Sequence, residues 1–204
     1  SLRYNRTEIG FVRLASAYDN EENNINIKAS VEKNDKKTTD ITGIVDFKSE
    51  TNNLDLIMNL DQTELILFEP FVKNLITKLK GNISSDLKIT GKFSNPQING
   101  DVKLANAGFT VNYLKTSYTI NDDISIENSL IRLEDLEIVD AFNHKAIANG
   151  SVDLKNPSNP LLDISVKANN FMALNTTSKD NAIYYGTAFG TGTFTFKGPI
   201  YNSA

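Results

Sequence analysis

Apolar and polar residues alternate along most of the chain. Ile25, Ile27, Ala29 and Val31 alternate with Asn24, Asn26, Lys28 and Ser30. Ile41, Gly43, Val45 and Phe47 continue the series, then Leu54, Leu56, Met58 and Leu60. Leu87, Ile89 and Phe93 follow, then Ile98, Val102 and Leu104, then Phe109, Val111 and Tyr113. The second half repeats the pattern in Ile124 and Ile126, Ile131 and Leu133, Leu136 and Ile138, and Ala148, Val152 and Leu154. Leu162, Ile164, Val166 and Ala168 come next, and Phe194 and Phe196 close it. A period of two puts successive side chains on opposite faces of a strand, so each run has one apolar and one polar face. The pattern predicts a mostly antiparallel sheet, dry on one side and wet on the other. Polar clusters between the runs read as hairpin connections: Glu21–Asn24, Lys33–Lys37, Ser49–Asn53, Asn121–Asp123 and Asn156–Pro160.

One segment has a different period. Phe68, Phe71, Val72, Leu75, Ile76 and Leu79 recur at helical spacing. Pro70 and Glu69 suit a first helical turn, Lys73, Lys78 and Lys80 suit the C-terminal side, and Gly81 suits the stop. A short amphipathic helix is expected over 69–80. It would plug an open end or edge of the sheet, or alternatively lie on a membrane surface.

Composition narrows the chemistry. The chain has 204 residues, a net charge of −4, one histidine and no cysteine. The acidic balance advertises no nucleic-acid partner. Disulfides, thiolate metal sites and cysteine nucleophiles are excluded. No apolar run is long enough for a membrane-spanning helix. His144 lies in the turn-like Phe142–Lys145, far in sequence from any nucleophile motif, and reads as a solvated turn residue. The acidic pairs Asp122–Asp123 and Glu134–Asp135 lack the spacing of a calcium loop. Gly186, Gly190 and Gly192 precede alternating Thr and Phe, not a helix, so no phosphate or dinucleotide loop is expected. The reading is a non-enzymatic protein with no catalytic residue, metal site or cofactor.

Glycines punctuate the strand pattern. From Gly81 to Leu104 one run ends in Gly91, a polar turn holds Asn95-Pro96, and the next run opens at Gly100. Gly192–Asn202 begins the same sentence, and Gly150–Pro157 echoes it. Glycine inside a strand marks a bulge, a bend or a close backbone approach, so such a sheet can curl around its apolar side.

The Gly81–Leu104 unit resembles the recurring unit of the TamB and AsmA-like family, and the tail Asn169–Asn181 with Tyr185–Thr193 is similar to TamB-like proteins of the Bacteroidetes type. The resemblance covers 81–204 well and 1–80 by general pattern. It implies a long β-trough, the β-taco, with an apolar interior. It also implies a periplasmic setting, an inner-membrane anchor and an outer-membrane partner of the BamA type, both in segments outside this chain. The roles implied are phospholipid transport to the outer membrane and assistance in outer-membrane protein assembly. The occupants would be phospholipid acyl chains or amphipathic client strands. The expectation is one repetitive β domain over 1–204, an internal piece of a longer chain with open strand edges. Its fold class is all-β: a curled, mostly antiparallel sheet forming an open trough with one short amphipathic helix. The expected groove lining is Leu87, Ile89, Val102, Leu104, Val111, Val152, Leu154, Ile164, Val166, Phe194 and Phe196. Lys88, Lys103, Asp153 and Ser165 would face water. The alternative is a structural or adhesive β-sandwich or β-solenoid that binds another protein.

Overall fold

The computed structural model describes residues 1–4, 7–156, 159–180 and 182–200. Pro157 and Ser158 of one expected turn, Asn181 of the family-like tail, and the closing 201–204 lie outside the described residues. The strands are β1 (Leu2–Tyr4), β2 (Thr7–Asp19), β3 (Asn24–Lys33), β4 (Lys36–Asp46), β5 (Leu54–Glu64), β6 (Ile76–Lys92) and β7 (Asn95–Val111). They continue as β8 (Thr116–Glu127), β9 (Leu130–Asp140), β10 (Lys145–Asp153), β11 (Leu161–Thr176) and β12 (Gly186–Pro199). A 3-10 turn (Leu65–Phe68) and the helix α1 (Glu69–Val72) separate β5 from β6.

All twelve strands form one sheet in sequence order, β1 to β12, each antiparallel to its neighbour. Among the described residues β12 does not pair back to β1 or β2, so the sheet is a curled open trough and not a barrel. Hairpins alternate between its two lips. One lip carries turn 34–35, the helical segment and turns 112–115, 141–144 and 177–185; the other carries 20–23, 47–53, 93–94, 128–129 and 154–160. Asn34-Asp35 and Asn128-Ser129 make two-residue connections with all four φ angles between 50° and 64°, the mirror-image turn that matches strand twist.

Two expectations change. The helix runs only through Glu69–Val72, and the chain is already in strand at Ile76 instead of helical to 80. Ile76 and Thr77 pair with Val111 and Thr110 of β7, and a seventeen-residue ladder outweighs the weak preference of a short helix. The helix is latched to that strand through buried Glu69, whose Oε2 accepts the Leu79 N–H at 2.8 Å. Asn121–Asp123 is not a turn but lies inside β8, and the reversal comes at Asn128-Ser129. The turn-like composition marks a different irregularity, described below.

Curling is built in by bulges. Gln62, Asn106, Asp135 and Asn170 have φ of 52°, 51°, 51° and 49°, each at a register shift in β5, β7, β9 and β11 respectively. A bulge leaves an N–H outside the ladder. Each is taken by a side-chain oxygen of the next strand: Gln62 by Ser84 Oγ at 3.0 Å, Asp135 by Asn149 Oδ1 at 2.9 Å, Asn170 by Thr191 Oγ1 at 2.9 Å, and Asn106 by Asn121 Oδ1. Alternate strands thus carry the same device, which bends the sheet without orphaning its backbone.

Candidate functional site

Directly opposed residues in an antiparallel pair share a face. Following that rule across the sheet traces one apolar face. Ile25, Val45, Leu54 and Gly91 form one row; Ala29, Ile41, Met58, Leu87, Gly100 and Ile126 form another. In the second half Leu136, Ala148, Val166 and Phe194 share a row, as do Leu133, Gly150, Ile164 and Phe196. The register therefore brings Leu87, Ile89, Val102, Leu104, Val111, Val152, Ile164, Val166, Phe194 and Phe196 onto one face. Leu154 lies one residue beyond β10, where its N–H donates to the Ser129 carbonyl. Lys88, Lys103, Asp153 and Ser165 alternate with these positions and lie on the other face.

The apolar face is thinly covered. Leu136 and Val102 are 5% and 8% exposed, but Leu14 of β2 is 72% exposed and Phe196 of β12 is 50% exposed. Most residues between are half-buried, because no second layer among the described residues packs over them. Two hydroxyls on this face turn to protein partners: Ser85 donates to the Asp101 carbonyl at 2.6 Å, and Thr63 donates to the Thr38 carbonyl.

The densest packing sits between β8 and β11. Ala146, Ala168 and Phe171 form a buried cluster joined by Tyr118, Ile138 and Val166. Here β11 outruns the β9–β10 turn and leans on β8. Phe171 stacks on Tyr118 with ring centroids 5.1 Å apart, and Tyr118 donates to the Met172 carbonyl at 2.8 Å. Asp140 holds this joint. Its carboxylate accepts the N–H groups of Phe142, His144 and Met172 at 2.8–2.9 Å, and lies 3.0 Å from His144 Nδ1. Burial alone would raise the Asp140 carboxyl, but the Met172, His144 and Phe142 N–H groups and the His144 ring outweigh it and hold it below the usual carboxylate range. Burial raises the Tyr118 phenol. His144 lies in the 141–144 turn as expected, but it is half-buried and anchored there, its Nε2 3.2 Å from Asn170 Nδ2.

The opposite lip has a matching joint. Buried Ser129 donates from Oγ to the Pro96 carbonyl at 2.6 Å and accepts the Ile98 N–H at 2.9 Å. Its carbonyl accepts the Leu154 N–H at 2.7 Å. One turn residue thus ties β7, the β8–β9 hairpin and the end of β10.

Between these joints the wall is interrupted. β8 and β9 pair at Tyr118–Ile120 with Ile138–Asp140, and again at Ile126–Glu127 with Leu130–Ile131. Residues 121–125 and 132–137 have no cross-strand partner in that ladder. A cavity of about 300 Å³ occupies the interruption. Asp122–Asp123 and Glu134, dismissed as a calcium loop by spacing, line it. Among the described residues no group of histidine, cysteine and acidic side chains is arranged to hold a metal ion. No helix among them is long and apolar enough to cross a membrane.

Comparison with curated proteins and with solved structures gives no match. The family model described as TamB, N-terminal domain, matches residues 2–104, half of the chain, and takes in the Gly81–Leu104 unit. The family-like tail after Asn169 lies beyond the matched span. With a match of that length on a sheet of this form, the chain belongs to the TamB family.

Proposed function

We propose that the chain is a non-enzymatic periplasmic segment of an envelope-spanning TamB-type protein, and that its apolar trough carries phospholipid acyl chains toward the outer membrane. TamB proteins are envelope-associated transport and assembly components. The observation that carries the reading is one apolar face, traced by register from Val12 to Phe196 with a break in the β8–β9 ladder, and covered by no second layer among the described residues. A chain leaving water for such a lane gains about 0.8 kcal/mol per buried CH₂. The lane has no built-in direction, so net transport needs a gradient or a partner. The full-length protein would be anchored in the inner membrane and meet an outer-membrane partner of the BamA type.

A second reading rests on β12. Among the described residues it pairs only with β11, and Phe194 and Phe196 stand exposed beside that edge. An amphipathic strand of an outer-membrane protein client would extend the sheet there by main-chain hydrogen bonding. Photo-crosslinking in cells separates the two. A benzophenone side chain at Leu87 or Ile164 should capture phospholipid, and one at Lys88 should not. Capture of unfolded barrel proteins at Phe194, with no lipid at any inner position, would favour strand addition.

A further inference from the structure

The two lips of the trough differ in what they show to solvent. Phe71 of α1 and Ile183 of the 177–185 loop are each 85% exposed, the highest values among the large apolar side chains described. Tyr113 of the 112–115 turn and Tyr184 and Tyr185 of the long loop share that lip, each more than half exposed. Tyr113 and Tyr184 meet through their hydroxyls at 3.2 Å. On the other lip Phe47 and Phe93 cover each other, with ring centroids 6.1 Å apart, and Glu21, Glu22 and Glu50 lie in its connections.

The aromatic lip is fastened. The Asn112 N–H donates to the Leu75 carbonyl at 2.9 Å and its side-chain amide donates to the Lys73 carbonyl at 2.8 Å, which ties the turn to the helical segment. The Asn175 N–H donates to the Leu114 carbonyl at 2.8 Å, and Lys115 lies 3.6 Å from Asp180, which ties the turn to the long loop. The strands that each of these connections joins are paired with each other, so the connections present side chains and not a strand edge. They carry Lys73, Lys115 and Lys179 against Glu69 and Asp180. Glu69 is buried and accepts the Leu79 N–H, and Asp180 is bound to Thr177 and Lys115. In the flanking strands Lys78 and Lys80 are exposed, and Glu64 is paired with Lys33. The charge balance facing water is therefore positive.

We propose that this lip docks on the surface of a phospholipid bilayer, with Phe71, Ile183 and the tyrosines in the boundary between headgroups and acyl chains and the lysines among the phosphates. The choice of a bilayer rests on the lipid reading of the trough. Phenol rings beside lysines suit that boundary, since each buries an apolar body and keeps a polar tip wet. The apolar face reaches this lip: Ile76 opposes Val111, and Tyr113 follows two residues later. Docking there sets the rim of the lane against the bilayer, so an acyl chain crosses one lip without entering bulk water.

The chain has no tryptophan, so one added indole reports its own surroundings. The test floats the 204-residue chain with vesicles of phosphatidylethanolamine and phosphatidylglycerol, with and without brominated acyl chains. Wild-type protein should float with the vesicles, less so as salt rises. Bromine should quench the indole of Phe71→Trp strongly and that of Phe93→Trp, on the other lip, weakly. Phe71→Ser with Ile183→Ser changes two exposed side chains and should keep the fold while weakening vesicle binding about tenfold or more. Absence of flotation, equal quenching at the two lips, or flotation unchanged in the double variant overturns the docking lip. So does a dimer in vesicle-free solution that the double variant dissociates, which would assign the lip to a second copy. Uptake of a monomeric lysolipid, measured alongside, separates the two readings. Uptake without flotation overturns the lip and leaves the trough intact, whereas flotation without uptake overturns the trough and leaves the lip.

Discussion

The Asp135 N–H donates to Asn149 Oδ1 at 2.9 Å, and the Asn149 amide donates back to the Asp135 carboxylate at 3.0 Å. The pair closes a bulge in β9 from the neighbouring strand, where φ of Asp135 is 51°. Asn149→Ala should therefore cost about 0.5–1.5 kcal/mol in urea unfolding, the usual net worth of one such bond. Asp135→Val, a β-branched residue in a left-handed conformation, should cost about 1–2 kcal/mol. Asn106→Gly, which relieves the same conformation at φ 51°, should be neutral or stabilising. If Asp135→Val proves neutral, the bulge is not the fixed bend described.

Glycines at bends are constrained by space as well as by φ. Gly100 and Gly150 have φ of 143° and 133°, and a Cβ at either would meet the carbonyl oxygen of Asp86 or Asp163. Either position changed to Ala should destabilise by about 3 kcal/mol or more, since backbone must move. Gly192→Ala is the control: its φ is 150° but nothing lies within 4 Å of an added Cβ, so it should cost clearly less. Thermal unfolding of the three variants checks the order.

Acid should loosen the Asp140 joint. Its folded-state carboxyl titrates below its unfolded value, so it stabilises the fold above the unfolded value near pH 4 and loses that contribution as pH falls through the lower folded value. Asp140→Asn replaces an acceptor of three N–H groups with a group that also donates, and should cost about 2–3 kcal/mol at neutral pH. The difference between wild type and variant should narrow below pH 4. A gap that stays constant down to pH 2 would contradict the assignment.

Much of this fold was legible in the sequence. Strict alternation in runs such as Ile25–Val31 and Leu54–Leu60 placed the strands and their apolar face, because a sheet this thinly covered leaves no other force to set register. Leu87 and Ile164 share that face by register, and Leu154 lies just past its strand. The helix end was misread because Phe71, Leu75 and Leu79 satisfy a helical period equally well, and only pairing of Ile76 with Val111 across the sheet decides it. Asn121–Asp123 carried a real signal with the wrong meaning: residues suited to turns sit where a ladder is broken. The Asp140 and Ser129 joints depend on contacts across more than thirty residues, Asp140 with Met172 and Ser129 with Pro96, and no local pattern announces them.

Charge placed in the lane should separate an open trough from a closed core. Ile164 is half-buried, so in Ile164→Arg the long side chain can carry its charge to water and the protein should stay folded. Val102 is 8% exposed beside Ser85 and Ile124, and Val102→Asp should cost more, about 2–4 kcal/mol. Lys103→Glu on the outer face sets a like charge opposite Asp123 and should cost no more than about 1 kcal/mol. Cooperative unfolding of all three variants, followed by circular dichroism, measures the order. Complete unfolding of Ile164→Arg would contradict an open lane.

Native mass spectrometry of the purified protein shows whether the apolar face holds lipid. Phospholipid-mass adducts are expected on the wild-type chain, with loss of those adducts in folded Ile164→Arg and their retention in Lys103→Glu. A wild-type protein that carries no lipid after gentle purification and takes up none from vesicles would contradict a face that holds lipid.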